Sequence, residues 1–97
     1  MSYELNFHPD ALAEWRKLDV PVREMFKKKL AERLQNPRIP SAKLSGNQGR
    51  FKIKLREAGY RLVYEVHDGV LMVLVVAVGK HERNAVYKAA ANANQRR

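Results

Sequence analysis

The chain contains no cysteine. Disulfide frameworks, thiolate nucleophiles and cysteine-held metals are therefore excluded. Acids are scarce, with 10 Asp and Glu against 19 Lys and Arg, which leaves a formal charge of +9 and a pI near 10.2. Carboxylates so few and scattered give no support to a two-carboxylate mechanism. The three histidines, His8, His67 and His81, lie far apart and share no helical ligand spacing, so neither a metal nor another cofactor is expected. Gly46-Asn47-Gln48-Gly49 lacks the flanking context of a phosphate-binding loop, and no order of serine, histidine and aspartate suggests a triad. No apolar run is long enough to cross a bilayer, and no leader pattern is visible. The basic segments also lack the leucine-rich or aromatic face of a membrane-surface helix. A cytoplasmic protein with no membrane partner is the expectation.

What is present is a modest core and a large positive charge. With 97 residues and 45% hydrophobic content, the chain is expected to form one domain over 1–97, with 92–97 as a frayed tail. A small domain this basic attracts polyanions, nucleic acid first among them, although an acidic protein would use the same charge.

Tyr3, Leu5 and Phe7 alternate with polar residues, which predicts a first strand over Ser2 to Phe7. His8-Pro9-Asp10 opens a helix with proline at its start and an acid in its first turn; Leu12, Trp15 and Leu18 form its apolar stripe. Asp19 is a candidate N-cap for a second helix, in which Val22, Phe26, Leu30 and Leu34 recur four apart and face inward. Lys27, Lys28, Lys29 and Arg33 are expected outside, as a solvated face or as phosphate contacts. Asn36-Pro37 ends this helix, and a loop containing Lys43 runs to Gly49.

The most informative stretch runs from Phe51 to Tyr64. Phe51, Ile53 and Leu55 share one face of a strand, and Lys52, Lys54 and Arg56 share the other. A return over Arg56 to Gly59 sets Leu55 against Tyr60, Ile53 against Leu62, and Lys54 against Arg61. Like charges directly across a ladder are destabilising. The face holding Lys52, Lys54 and Arg61 is thus poorly chosen for stability and well chosen for a phosphate, though a merely solvated face has the same composition. Tyr60 and Tyr64 fall on the apolar side, with hydroxyls expected in water. His67-Asp68-Gly69-Val70 predicts a two-residue turn, with His67 solvated beside it. Val70 to Val78 is apolar on both faces and reads as an interior strand. Gly79-Lys80-His81-Glu82-Arg83 should break it, and Asn84 to Ala93 reads as a short alanine-rich helix carrying Tyr87. The fold class is α+β: a compact antiparallel sheet, an N-terminal helical hairpin on one face and a short C-terminal helix. Lysines, arginines, an imidazole and a phenol can then converge on one sheet face. RNA cleavage by its own 2′-hydroxyl needs a base, a charge stabiliser and an acid, and clustered cations supply the second directly.

At these residues the sequence resembles the RelE family of bacterial toxin ribonucleases. The likeness spans nearly the whole chain and is dense at Glu14-Trp15-Arg16-Lys17-Leu18, Lys27-Lys28-Lys29-Leu30, Pro37-Arg38-Ile39, and Lys52-Ile53-Lys54-Leu55-Arg56 with Gly59-Tyr60-Arg61-Leu62-Val63-Tyr64. It resumes at Val78-Gly79-Lys80, Glu82-Arg83 and Val86-Tyr87. The resemblance implies a microbial-ribonuclease-like fold and ribosome-dependent cleavage of mRNA in the A site of the small subunit, beside 16S rRNA. It also implies restraint by a RelB-type antitoxin, an acidic and partly disordered partner. By the same resemblance Lys52, Lys54, Arg61 and Tyr87 are catalytic positions, and His81 replaces a family arginine. RNA and ribosome contacts are expected at Lys27, Lys28, Lys29, Lys43, Arg56, Lys80 and Arg83, and Ser45 stands where the family loop is usually basic. Two alternatives remain at this point: a ParE-like toxin of DNA gyrase, and a noncatalytic RNA-binding module on the same cationic face.

Overall fold

The computed structural model describes residues 2–46 and 49–80. Strand β1 (Glu4–Phe7) leads into helix α1 (Pro9–Arg16) and helix α2 (Val20–Gln35). A 3-10 turn at Pro40–Ala42 follows, then strands β2 (Arg50–Leu55), β3 (Tyr60–His67) and β4 (Met72–Lys80). The four strands form one sheet in the order β1-β4-β3-β2, which makes β4 interior, as its two apolar faces predict. The last three strands are antiparallel, whereas β1 joins β4 in parallel, Glu4 opposite Met72 and Phe7 opposite Val75. The sheet is therefore mixed. A parallel neighbour needs a long crossover, and here the whole path through α1, α2, β2 and β3 separates the two strands. The segment expected to form the C-terminal helix lies outside the described residues.

Both helices start where the sequence places them. His8 caps α1, its Nδ1 accepting from the Asp10 backbone N–H at 3.2 Å. Asp19 begins α2 through its carbonyl, which accepts from the Arg23 N–H at 3.0 Å, and its side chain makes no cap bond. The helices cover one face of the sheet. Ala11, Trp15, Leu18, Val22, Phe26 and Leu30 pack there against Phe51, Ile53, Leu55, Leu62, Tyr64, Val66, Val73, Val75 and Val78. Trp15 is core, with its ring 5.0 Å from Phe7 and 6.2 Å from Phe26. The other face carries a smaller apolar patch of Val63, Val76 and Ala77, flanked by Leu44 and Leu74.

The β2–β3 hairpin adopts the expected register, with Leu55 opposite Tyr60, Ile53 opposite Leu62 and Lys54 opposite Arg61. Gly59 turns the chain at φ +73°, and its N–H donates to the Leu55 carbonyl at 2.8 Å. The next turn differs from expectation. Asp68–Val70 forms a 3-10 turn and Leu71 takes the left-handed conformation at φ +49°, so β4 begins at Met72 rather than Val70. The Asp68 carboxylate is engaged elsewhere. It accepts from Arg38 Nε at 3.1 Å and Nη2 at 2.7 Å, and from the Tyr3 hydroxyl at 2.7 Å, tying the turn to the loop after α2 and to the start of the chain.

A bulge in β4 sets the geometry of the site end. Val63 pairs with Ala77, while its neighbour Tyr64 pairs with Val75, leaving Val76 as the extra residue. Val76 and Ala77 both belong to the open-face patch, and alternation resumes with Val78 in the main core. The strand also continues through Gly79 and Lys80, where the sequence suggested a break.

Candidate nucleic-acid interface

Lys52 and Lys54 on β2 and Arg61 on β3 occupy the face of the sheet away from the helices. The order of side chains is forced by the strand period: Phe51, Ile53 and Leu55 are buried below, so the intervening lysines must stand above. All three cations are partly exposed, and Lys54 lies directly across from Arg61. The crowding lowers the Lys54 pKa. The Lys52 charge is the leading cause, followed by lost hydration and then by the Arg61 and Arg56 charges. A lysine held this way gives up its proton more readily than an ordinary one and gains most from an arriving anion. A cleft of about 390 Å³ opens at the end of the hairpin, lined by Lys54, Leu55, Arg56, Gly59, Tyr60 and Arg61.

The same face has a second charged group toward the other end of the hairpin. Arg50, 5% exposed, donates through Nε to Glu65 Oε2 at 2.7 Å and also through Nη2. Glu65 Oε1 lies 2.9 Å from His67 Nε2. Burial pushes the Glu65 carboxyl up, but the hydrogen bonds from Arg50 and His67 outweigh it and its pKa ends lowered. The Glu65 carboxylate is thus occupied by Arg50 and His67.

The other expected contacts are distributed around the molecule. Lys27, Lys28 and Lys29 are exposed on α2, with Lys27 3.0 Å from Glu24. Lys43 is exposed where its residue bridges to Phe51. Arg56 is exposed at the hairpin turn. Lys80 pairs with Tyr60, which sets it on the helix side of the sheet rather than beside Lys54. The bulge causes this, because one extra residue reverses the side on which every later residue falls. His81, Arg83 and Tyr87 lie outside the described residues.

Three expectations for individual side chains are corrected. The Tyr64 hydroxyl is not in water: the residue is fully buried, donates to the Pro37 carbonyl at 2.6 Å and accepts from Arg33 Nη1 at 2.8 Å. Burial raises its pKa, with the Arg33 contact opposing. Arg33 is not on the solvated face, since it also donates to the Lys52 carbonyl at 3.2 Å. His67 ends β3 and engages Glu65 instead of sitting free in a turn. Two of these contacts had a readable signal in the sequence, that of Arg33 and the Arg50–Glu65 pair. Arg33 is three residues past Leu30 and seven past Phe26, on the apolar stripe. Arg50 and Glu65 become partners once the Lys54–Arg61 register is run back along both strands. Among the described residues no cluster of His, Asp and Glu could hold a metal, and no helix is long and apolar enough to cross a membrane.

Comparison with known proteins adds three findings. Residues 5–85 match the family model described as ParE toxin of type II toxin-antitoxin system, parDE. The mRNA interferase toxin RelE of Escherichia coli K12 is 54% identical over 90 residues, covering 93% of this chain and 95% of that one. Two solved structures share the fold. A double arginine-to-alanine mutant of free E. coli RelE has a TM-score of 0.88 at 52% identity, covering 95% of this chain and 97% of that one. The toxin in the intact E. coli RelBE toxin–antitoxin complex has a TM-score of 0.81 at 55% identity, covering 84% and 100%.

Proposed function

The chain belongs to the RelE family of type II toxin–antitoxin toxins, and on that premise we propose that it halts translation by cutting mRNA in the ribosomal A site. It is an mRNA interferase, an endoribonuclease. Its antitoxin is of the RelB type. Action on translating ribosomes places it in the cytoplasm.

The observation that carries the ribosomal reading is the crowding of like charge on one part of the sheet face, which lowers the Lys54 pKa. Lys52, Lys54 and Arg61 crowd one end of a sheet face, while Glu65 toward its other end is held by Arg50 and His67. In the proposed reaction the 2′-oxygen attacks the adjacent phosphorus and the bond to the 5′-oxygen breaks. The products are a 2′,3′-cyclic phosphate and a 5′-hydroxyl. Lys52 and Arg61 stabilise the charge building on the phosphoryl oxygens. Tyr87 takes the 2′-hydroxyl proton, and Lys54, with its lowered pKa, or His81 delivers a proton to the departing oxygen. Such coupled groups titrate together, so acid and base are assigned to the set. A site without a strong dedicated acid–base pair depends on externally supplied positioning, which is why the ribosome-held codon is the substrate and free RNA a poor one. Lys27, Lys28, Lys29, Lys43, Arg56, Lys80 and Arg83 supply contacts to rRNA phosphates.

The test is in vitro translation with the protein added, reading message ends by primer extension for the natural chain and for His81→Arg. Discrete cuts within codons are expected. Stalled ribosomes with intact message would instead establish a binding module. The ParE-type reading, favoured by the name of the matching family model, predicts inhibition of gyrase supercoiling and no message cleavage.

A further inference from the structure

Among the described residues strand β2 is an edge strand, with a full strand partner on one side of its backbone. The other side is engaged piecemeal. The Arg50 carbonyl accepts from the Leu44 N–H at 2.9 Å, and Lys43 bridges to Phe51. The Lys52 carbonyl accepts from Arg33 Nη1 at 3.2 Å. Arg33 is in the last turn of α2, and the same nitrogen donates to the Tyr64 hydroxyl at 2.8 Å. Its guanidinium lies 5.7 Å from the centre of the Tyr64 ring. Tyr64 in turn donates to the Pro37 carbonyl, just beyond the helix. One side chain therefore connects the end of α2, the buried centre of β3 and the backbone of the strand that bears Lys52 and Lys54.

We propose that Arg33 is a positioning residue for RNA cleavage, clamping the edge strand so that Lys52 and Lys54 stay in register with Arg61. This rests on the ribonuclease reading for its consequence in rate, and on the clamp alone for its consequence in geometry. Leu44 and Lys43 hold the outer side of β2 only at Arg50 and Phe51, and beyond them an edge strand can twist and slide unless another contact fixes it. Lys54 follows Lys52 by two residues on the same face, so a shift of the Lys52 backbone moves both ammonium groups relative to Arg61. A displacement of about 1 Å at such a site is enough to cost about a hundredfold in rate. Arg33 touches no substrate position itself and acts through the strand.

Arg33→Met keeps the length and packing of the side chain and removes its donors. Tyr64 still bonds to Pro37, and the Lys52 carbonyl, at an edge, remains open to water, so the fold should survive. Arg33→Lys keeps a charge and enough donors, but its side chain is one atom shorter, so its ammonium falls short of the position from which Nη1 reaches both acceptors. Two readouts separate positioning from simple stability. The first is kcat against KM for message cleavage on programmed ribosomes, scaled to the folded fraction. The second is the titration of the Lys54 ammonium by NMR on the protein alone. For Arg33→Met we expect kcat to fall about tenfold or more with KM nearly unchanged, and the Lys54 titration to move up as its cationic neighbours spread. Arg33→Lys should recover less than half of the loss. A kcat that falls only in proportion to unfolding, or a Lys54 titration identical to the natural protein, would overturn the proposal. If the natural protein cuts no message while Lys54 still shifts, the ribonuclease reading fails and the clamp stands.

Discussion

The open face of the hairpin holds two groups of charge at its two ends, and they are built on opposite principles. At one end Arg50, Glu65 and His67 neutralise one another, with the guanidinium buried and the carboxylate shared. At the other, Lys52, Lys54 and Arg61 repel one another and stay partly exposed. Both groups use the same two strands and the same register. Opposite charges brought together are structural; like charges brought together against their own repulsion have a use outside the chain. The mutual repulsion lowers the Lys54 pKa, and an arriving phosphate relieves it. The contrast separates two roles that composition alone treats as one, since each group is simply basic residues on a strand.

Substitutions at the two ends should therefore have opposite profiles. The largest effect is expected from Lys54→Ala, with message cleavage lowered about a hundredfold or more and the thermal midpoint unchanged or raised. Single-turnover cleavage on programmed ribosomes beside a melting curve measures both. A variant that loses stability and keeps its rate would reverse the assignment of the two ends. Glu65→Gln should do the converse, destabilising by about 3 kcal/mol because Arg50 is left buried and unpaired, while the folded fraction cuts normally. Urea titration gives the first value and rate per folded molecule the second.

Smaller effects sharpen the boundary between helix-covered core and open face. Tyr64→Phe removes a hydroxyl that both donates and accepts in the core, at about 1–2 kcal/mol by urea unfolding. Stability should also decline in acid. The Glu65 and Asp68 pKa values are depressed in the folded state, so their contribution is complete above the unfolded carboxylate range, about 4, and is lost as pH falls through the lower folded values. Glu65→Gln should flatten that decline, whereas Lys54→Ala should leave it in place. Arg38→Ala, which breaks an exposed pair with Asp68, should change the urea midpoint least of all these substitutions.

Short-range patterns carried most of what could be read in advance. The hairpin register followed from an alternation of apolar and basic residues around Gly59, and the helices from their apolar stripes, three apart in α1 and four apart in α2, and their starts at His8 and Asp19. The Lys52–Lys54–Arg61 group came with the register. Less legible were effects that depend on a partner distant in the chain. Asp68-Gly69 has the composition of a tight turn, but the Asp68 carboxylate is taken by Arg38 and Tyr3 and the turn opens by two residues. The β4 bulge has no mark in the sequence, yet it moves Lys80 to the far side of the sheet.

The sequence by itself determined which residues alternate, where the helices begin, and that cations must crowd one strand face, because backbone periodicity and local sterics act over a few residues. Tertiary structure alone decided that β1 joins the sheet in parallel, that Asp68 takes Arg38 and Tyr3 as partners, and that the guanidinium of Arg33 ends at the Lys52 carbonyl of the edge strand. Those outcomes depend on which surfaces remain after the core has closed. A buried hydrogen-bonding group then takes whatever partner the packing has brought within reach, however far away it stands in the chain.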